Sequence, residues 1–100
     1  MALHLYFRPS FKRSLKALGG EQKKVVGLIL EALTAYYQSN CDLIEAQRII
    51  PRFFYKQLRK PYSEAGVERN IRIVIKREGE KCIAILAGNH NQIKRFLTTL

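Results

Sequence analysis

The sequence predicts an α+β fold: a strand, a pair of helices, then a three-stranded antiparallel meander packed against them. Three observations predict it. Apolar residues recur at helical spacing in Phe11–Leu18 and again in Glu21–Ser39, with Gly19-Gly20 between them. From Asn70 to Arg77, Ile71, Ile73 and Ile75 alternate with Asn70, Arg72, Val74 and Lys76, the period of a half-buried strand. Glu78-Gly79-Glu80 then separates that run from the apolar Lys81–Ala87, as a tight hairpin turn would.

Each element follows in order. His4-Leu5-Tyr6-Phe7-Arg8 is short and aromatic, reads as a strand, and stops at Pro9-Ser10. Ser10 is the expected N-cap of the first helix, whose Phe11, Leu15 and Leu18 fall on one face. Gly19-Gly20 closes that helix and predicts an antiparallel hairpin with the next. Glu21 suits the first turn of the second helix, and Val25, Ile29, Ala32, Leu33 and Tyr36 form its stripe, widened by Val26, Leu30 and Tyr37. Leu43–Ile50 reads as a helical turn or a connector, and Pro51 as a boundary. Phe53–Arg59 is the next strand, Lys60–Glu68 a polar loop, and Asn91–Leu100 a short helix or irregular tail. Helices on one face leave the Arg72 face turned outward, toward solvent or a ligand.

At 100 residues and 47% hydrophobic, the chain is expected to be one domain over residues 1–100, with a modest core. The 18 Lys and Arg outnumber the 8 acids, for a net charge of +10, which attracts polyanions. Cys41 and Cys82 lack zinc-site spacing, and with no secretory segment they are expected as free buried thiols in a cytoplasmic protein. No apolar run is long enough for a membrane span. The few acids show no metal-binding spacing, and no glycine-rich phosphate loop, carboxylate pair or Ser/His/Asp set is visible. No metal and no small-molecule cofactor is therefore expected.

The second half concentrates the chemistry. Arg52, Lys56, Arg59, Lys60, Arg69, Arg72, Lys76, Arg77 and Lys81 crowd one window, and His90 follows in Ala87-Gly88-Asn89-His90. Cations beside a titratable imidazole can hold a phosphate and move a proton near it, which points to RNA. On the residues alone, His90 reads more readily as a cap of the last helix than as a catalytic group, and Arg72 could be a solvated edge residue.

The order of elements resembles the RelE/ParE superfamily of bacterial toxins from toxin–antitoxin pairs. So do Phe7-Arg8-Pro9-Ser10-Phe11-Lys12-Arg13 with Leu15 and Leu18, Tyr55-Lys56-Gln57-Leu58-Arg59, Asn70-Ile71-Arg72-Ile73-Val74-Ile75 and Ile85-Leu86-Ala87-Gly88-Asn89-His90. The resemblance spans nearly the whole chain. It implies a basic concave sheet that enters the ribosomal decoding site and cuts mRNA there. Arg72 matches the family's middle-strand arginine, His90 the Arg or His after the glycine ending the last strand, and Phe96 a downstream aromatic. With Leu58 aligned to the family's leucine, the cationic positions of the preceding strand fall near Tyr55, Gln57 and Arg59. There the chain departs from the pattern, since a pair of lysines becomes Tyr55 and Gln57, and the Lys60–Glu68 loop is longer than usual.

The resemblance therefore implies His90, Arg72 and Arg59 as catalytic. His90 would protonate the departing 5′ oxygen or take the proton of the 2′ hydroxyl, and Arg72 would bind the scissile phosphate bidentately. Arg59 is chosen because it shares a strand face with Tyr55 and Gln57, which leaves Lys56 at a rim or displaced by one position. Tyr55 and Phe96 could stack on bases or simply pack. Gln57, Lys56, Lys60, Arg69, Lys94 and Arg95 complete the expected RNA-contacting set. His4 reads as structural, and Lys12, Arg13, Lys16, Lys23 and Lys24 as ribosomal RNA contacts or a solvated face. The expected function is a ribosome-dependent, metal-independent mRNA endoribonuclease, with mRNA, the ribosome and a cognate antitoxin as partners and no membrane. The alternatives are a ParE-like inhibitor of DNA gyrase that cleaves nothing, or a non-catalytic RNA-binding remnant.

Overall fold

The computed structural model describes residues 3–67 and 71–100. The elements are β1 (His4–Phe7), α1 (Pro9–Lys16), α2 (Gly20–Gln38), α3 (Leu43–Gln47), β2 (Phe53–Gln57), β3 (Tyr62–Val67), β4 (Arg72–Glu78), β5 (Lys81–Gly88) and α4 (His90–Thr98). Among the described residues, the five strands form one sheet in the order β1-β5-β4-β3-β2. β1 runs parallel to β5, and the remaining pairs are antiparallel.

The α+β class agrees with the sequence, but the meander has one strand more than expected. The segment read as the loop Lys60–Glu68 contains β3, which pairs on both sides, Tyr55 with Ala65 and Ala65 with Ile73. Its alternation is faint for a physical reason. Ser63, Ala65 and Val67 turn small side chains toward the helices, while the other face carries Tyr62, Glu64 and Gly66. The expected loop end Glu68 and strand start Asn70 lie outside the described residues, as does the expected RNA contact Arg69.

Ser10 does not cap α1. Pro9 begins that helix, where its missing N–H costs nothing, and Arg8 occupies the N-cap position without a side-chain cap. Ser10 instead donates to the carbonyl of Ile85 at 2.6 Å, and Ser14 accepts from the Ala87 N–H at 2.9 Å. These bonds explain how α1 lies along β5. Val74 pairs with Leu86 but Ile75 with Ala84, so Ile85 is an extra residue that bulges out of the ladder. The backbone groups of β5 beyond the reach of β1 are satisfied by serine hydroxyls and by the Arg8 N–H, which donates to Ala84 at 3.0 Å.

The core lies between this side of the sheet and the first helices. Val26, Ile29, Ala32, Leu33 and Tyr37 of α2 are buried, together with Ile71, Ile73, Ile75, Cys82, Ala84 and Ala87. Each large aliphatic side chain placed there contributes about 1.5–3 kcal/mol through lost water contact. α4, expected as a short helix or irregular tail, is a regular helix on the other side of the sheet. There Phe96 meets Tyr62 edge-on, centroids 5.3 Å apart. Val74, Ile83 and Ile93 are buried outside the main cluster, as a smaller layer beneath α4. Cys82 is a buried free thiol as expected, but Cys41 is exposed, at a left-handed turn with φ of 63° after α2. Among the described residues, no helix is long and apolar enough to cross a membrane.

Candidate active site

Arg72 opens β4, and its backbone partners set everything around it. It pairs with Gly66 on β3 and with Gly88 on β5, and Gly66 pairs in turn with Phe54 on β2. With no side chain at Gly66, the arginine can cross that position. Its guanidinium carbon comes to 5.2 Å from the centre of the Phe54 ring, a cation–π distance. A Cβ at Gly66 would stand 3.0 Å from Arg72 Cγ and 3.1 Å from the Ile71 carbonyl oxygen.

The same guanidinium joins two further groups. Nη1 lies 3.3 Å from Oε1 of Glu64, and 3.0 Å from Nδ1 of His90. Glu64 is only 2% exposed, the one buried charged residue among those described, and it sits two positions from Gly66 on the same face. An anion so far from water requires a cation beside it, and Arg72 is that cation. His90 is exposed, and α4 delivers it. Asn89 caps the helix by accepting from the Gln92 N–H at 2.9 Å, and Gln92 returns the bond to the Asn89 N–H at 2.7 Å. Gly88 makes room for that box, since a Cβ there would lie 2.6 Å from Gln92 Oε1.

The contact also sets the proton on the imidazole. A guanidinium only donates, so the Nδ1 facing Arg72 must be the acceptor and Nε2 carries the hydrogen of the neutral ring. At rest the basic nitrogen is thus covered by the arginine. A phosphate that drew the guanidinium to itself would uncover Nδ1 while being held within reach of it.

The other expected site residues distribute unevenly. Lys56 lies directly opposite Glu64 and so occupies the Arg72 face, which fits the expected one-position displacement rather than the rim. Tyr55 and Gln57 fall on the opposite face, the alternate set of β2. Tyr55 stacks on Tyr36, centroids 4.5 Å apart, and its hydroxyl meets that of Tyr37 at 2.9 Å. Arg59 and Lys60 leave the strand altogether and lie exposed in the turn before β3. The structure therefore brings Arg72 and His90 together, while Arg59 lies in the turn beyond the end of β2. The reason is that β2 ends at Gln57, so the alternation carrying Arg59 with Tyr55 does not continue. Lys94 and Arg95 are exposed on α4, while Phe96 is half-buried against Tyr62.

Burial perturbs the tyrosines of the helix-covered face. It pushes the Tyr36 hydroxyl up to about 12, and raises those of Tyr37 and Tyr55 and the Cys82 thiol above their ordinary values. Among the described residues, no group of three or more His, Cys, Asp or Glu side chains could hold a metal ion.

Glu64, Phe54 and Gly66 are the members that sequence reasoning missed. Glu64 was visible only as an acid within an apparent loop, and its role depends on β3 lying beside β4.

No protein-family model matches the chain, and no curated protein matches it in sequence. Solved structures do. A chain of the RelB–RelE antitoxin–toxin complex from Methanococcus jannaschii superposes with a TM-score of 0.62 at 20% identity, over 91% of this chain and 96% of its own. A copper-bound mutant toxin from Helicobacter pylori gives 0.54 at 19% identity, over 91% and 98%. The chain thus has a RelE-like fold.

Proposed function

We propose that the chain is the toxin of a toxin–antitoxin pair and an endoribonuclease that cuts mRNA on the ribosome, with Arg72 and His90 at the scissile phosphate. The observation that carries the reading is the 3.0 Å contact between Arg72 Nη1 and His90 Nδ1. It sets a phosphate-binding cation and a proton acceptor on one atom pair, at the mouth of a helix whose N-terminus also favours negative charge.

In this reading the phosphate takes Arg72 from the imidazole. The freed Nδ1 accepts the proton of the 2′ hydroxyl, whose oxygen bonds to phosphorus as the bond from phosphorus to the 5′ oxygen breaks. The guanidinium offsets the charge building on the phosphoryl oxygens, and solvent water protonates the departing 5′ oxygen. The products are a 2′,3′-cyclic phosphate and a 5′ hydroxyl. Glu64 and Phe54 hold the arginine between turnovers, and Lys56 and Lys76 extend the positive face along the sheet. A protein antitoxin follows from the same reading, as does a cytoplasmic site of action.

A second reading, a gyrase inhibitor that cleaves nothing, is favoured by one observation: Glu64 already neutralises Arg72. The two readings separate in a translating extract with mRNA ends mapped by primer extension. Discrete breaks with the wild-type chain, lost in both His90→Ala and Arg72→Ala, are expected from the nuclease. Intact mRNA with the wild-type chain would remove that reading and direct the next assay to gyrase. Loss of a positioned acid–base group typically costs about 10²–10⁴-fold in rate, so the breaks should disappear rather than dim.

A further inference from the structure

A second site stands on the opposite face of the sheet. At the end where the β2–β3 turn meets β4, a cavity of about 490 Å³ opens among Tyr55, Gln57, Lys60, Tyr62, Ser63 and Arg77. That volume falls within the roughly 300–1,000 Å³ of small-molecule sites. Among the described residues no carboxylate lines it, although Glu78 is next in sequence to Arg77. Glu78 is drawn to the other face instead, where it pairs with Lys76 at 3.1 Å.

The walls are held in place. The Arg77 N–H donates to the Pro61 carbonyl at 3.0 Å, tying the turn to β4, and the Arg77 Nε donates to the Gly79 carbonyl at 2.9 Å, fixing the guanidinium's direction. Tyr55 is clamped between Tyr36 and Tyr37, so its ring is a rigid wall rather than a mobile surface side chain. Gln57 and Ser63 pair across β2 and β3 and present an amide and a hydroxyl on one level. Cations at the rim, an aromatic and a proline wall, and a donor–acceptor amide are the parts a nucleotide uses, through phosphate, base face and base edge in turn. A bare phosphate would leave most of the volume empty.

We propose that this cavity binds a nucleotide, with Lys60 and Arg77 on the phosphate and Tyr55, Gln57 and Ser63 against the base. It is distinct from the Arg72–His90 centre, because Tyr55, Gln57 and Ser63 belong to the strand face opposite Arg72. The ligand can be a free nucleotide or one residue of a nucleic acid chain.

Tyrosine fluorescence reads the binding directly, since the chain has five tyrosines and no tryptophan. The probes are adenosine 5′-monophosphate, a 2′-deoxy tetranucleotide that offers no hydroxyl for cleavage, and inorganic phosphate. Saturable binding of the mononucleotide is expected, weakened roughly tenfold by Lys60→Gln or Arg77→Gln, the cost of one charge-assisted contact. His90→Ala should leave it unchanged. Both cations are exposed, so these variants should melt with the wild-type chain. Tighter binding of the tetranucleotide assigns the site to a nucleic acid strand, and tighter binding of the mononucleotide assigns it to a free nucleotide. The proposal is overturned by absence of saturable binding, by inorganic phosphate binding equally well, by indifference to both cation variants, or by loss in His90→Ala. None of these outcomes depends on whether the chain cleaves RNA.

Discussion

On the α2 side of the sheet, Ile71, Ile73 and Ile75 share a dry core with Val26, Ile29 and Leu33. On the α4 side, the other face of the same sheet carries Arg72, Glu64 and Lys56 around Gly66. Polar atoms are handled differently on the two faces. Tyr37 and Tyr55 meet hydroxyl to hydroxyl, Tyr37 buried in the core and Tyr55 half-buried against it. Arg72 is shared between a buried carboxylate and an exposed imidazole, so its strongest contacts can be redirected by an incoming anion. The difference teaches that one face supplies the rigidity against which the other can exchange partners.

Truncation on the dry face should have the largest effect on stability. Leu33→Ala or Ile73→Ala is expected to cost about 2–5 kcal/mol in chemical denaturation, because both side chains are fully buried. If either variant melts like the wild-type chain, the dry face is not the structural half of the molecule.

Glu64→Gln tests the other face. It leaves the shape but removes the buried charge beside Arg72, and should cost about 1–3 kcal/mol. Cleavage should fall with it in the primer-extension assay, as the arginine loses its anchor. A variant with full activity would make Glu64 a purely structural acid.

Gly66→Ala should act more locally. Its Cβ would press on Arg72 Cγ and the Ile71 carbonyl, so the arginine must shift by a few tenths of an ångström. An expected loss of about 1 kcal/mol in stability, with a larger proportional loss of cleavage, would separate positioning of Arg72 from folding. Tyr37→Phe, on the dry face, should cost about 1 kcal/mol by removing the hydroxyl that bonds to that of Tyr55, and should leave cleavage unchanged.

The dry face also responds to pH. The Tyr36 hydroxyl rises from an ordinary 10.0 to about 12 in the folded chain. Between those values the folded state holds a proton that the unfolded state has lost, so stability falls as pH rises. The tyrosines' contribution should be fully present below pH 10.0 and that of Tyr36 gone above about 12. Denaturant midpoints measured across that window should decline, and less steeply in Tyr37→Phe.

Much of this architecture was legible in the chain itself. The two main helices, the first strand and the β4–β5 hairpin follow from periods of 3.6 and 2 and from turn residues, all of which are local signals. Arg72 and His90 were singled out through the family resemblance, since on the residues alone His90 reads more readily as a cap of the last helix. β3 was not legible, because the positions of one face that flank Arg72, Glu64 and Gly66, are an acid and a glycine rather than apolar residues. Nor was the fate of Arg59, since only the end of β2 at Gln57 decides that the alternation stops.

The sequence by itself determined the α+β class and the basic character, and offered Arg72 and His90 as candidates for work on a phosphate. Tertiary structure decided which of them meet. The contact of Arg72 with His90 spans eighteen residues, and its contact with Glu64 spans eight. No periodicity encodes such distances. They arise from strand register, from a bulge held by Ser10 and Ser14, and from two glycines that leave room for one arginine and one helix cap.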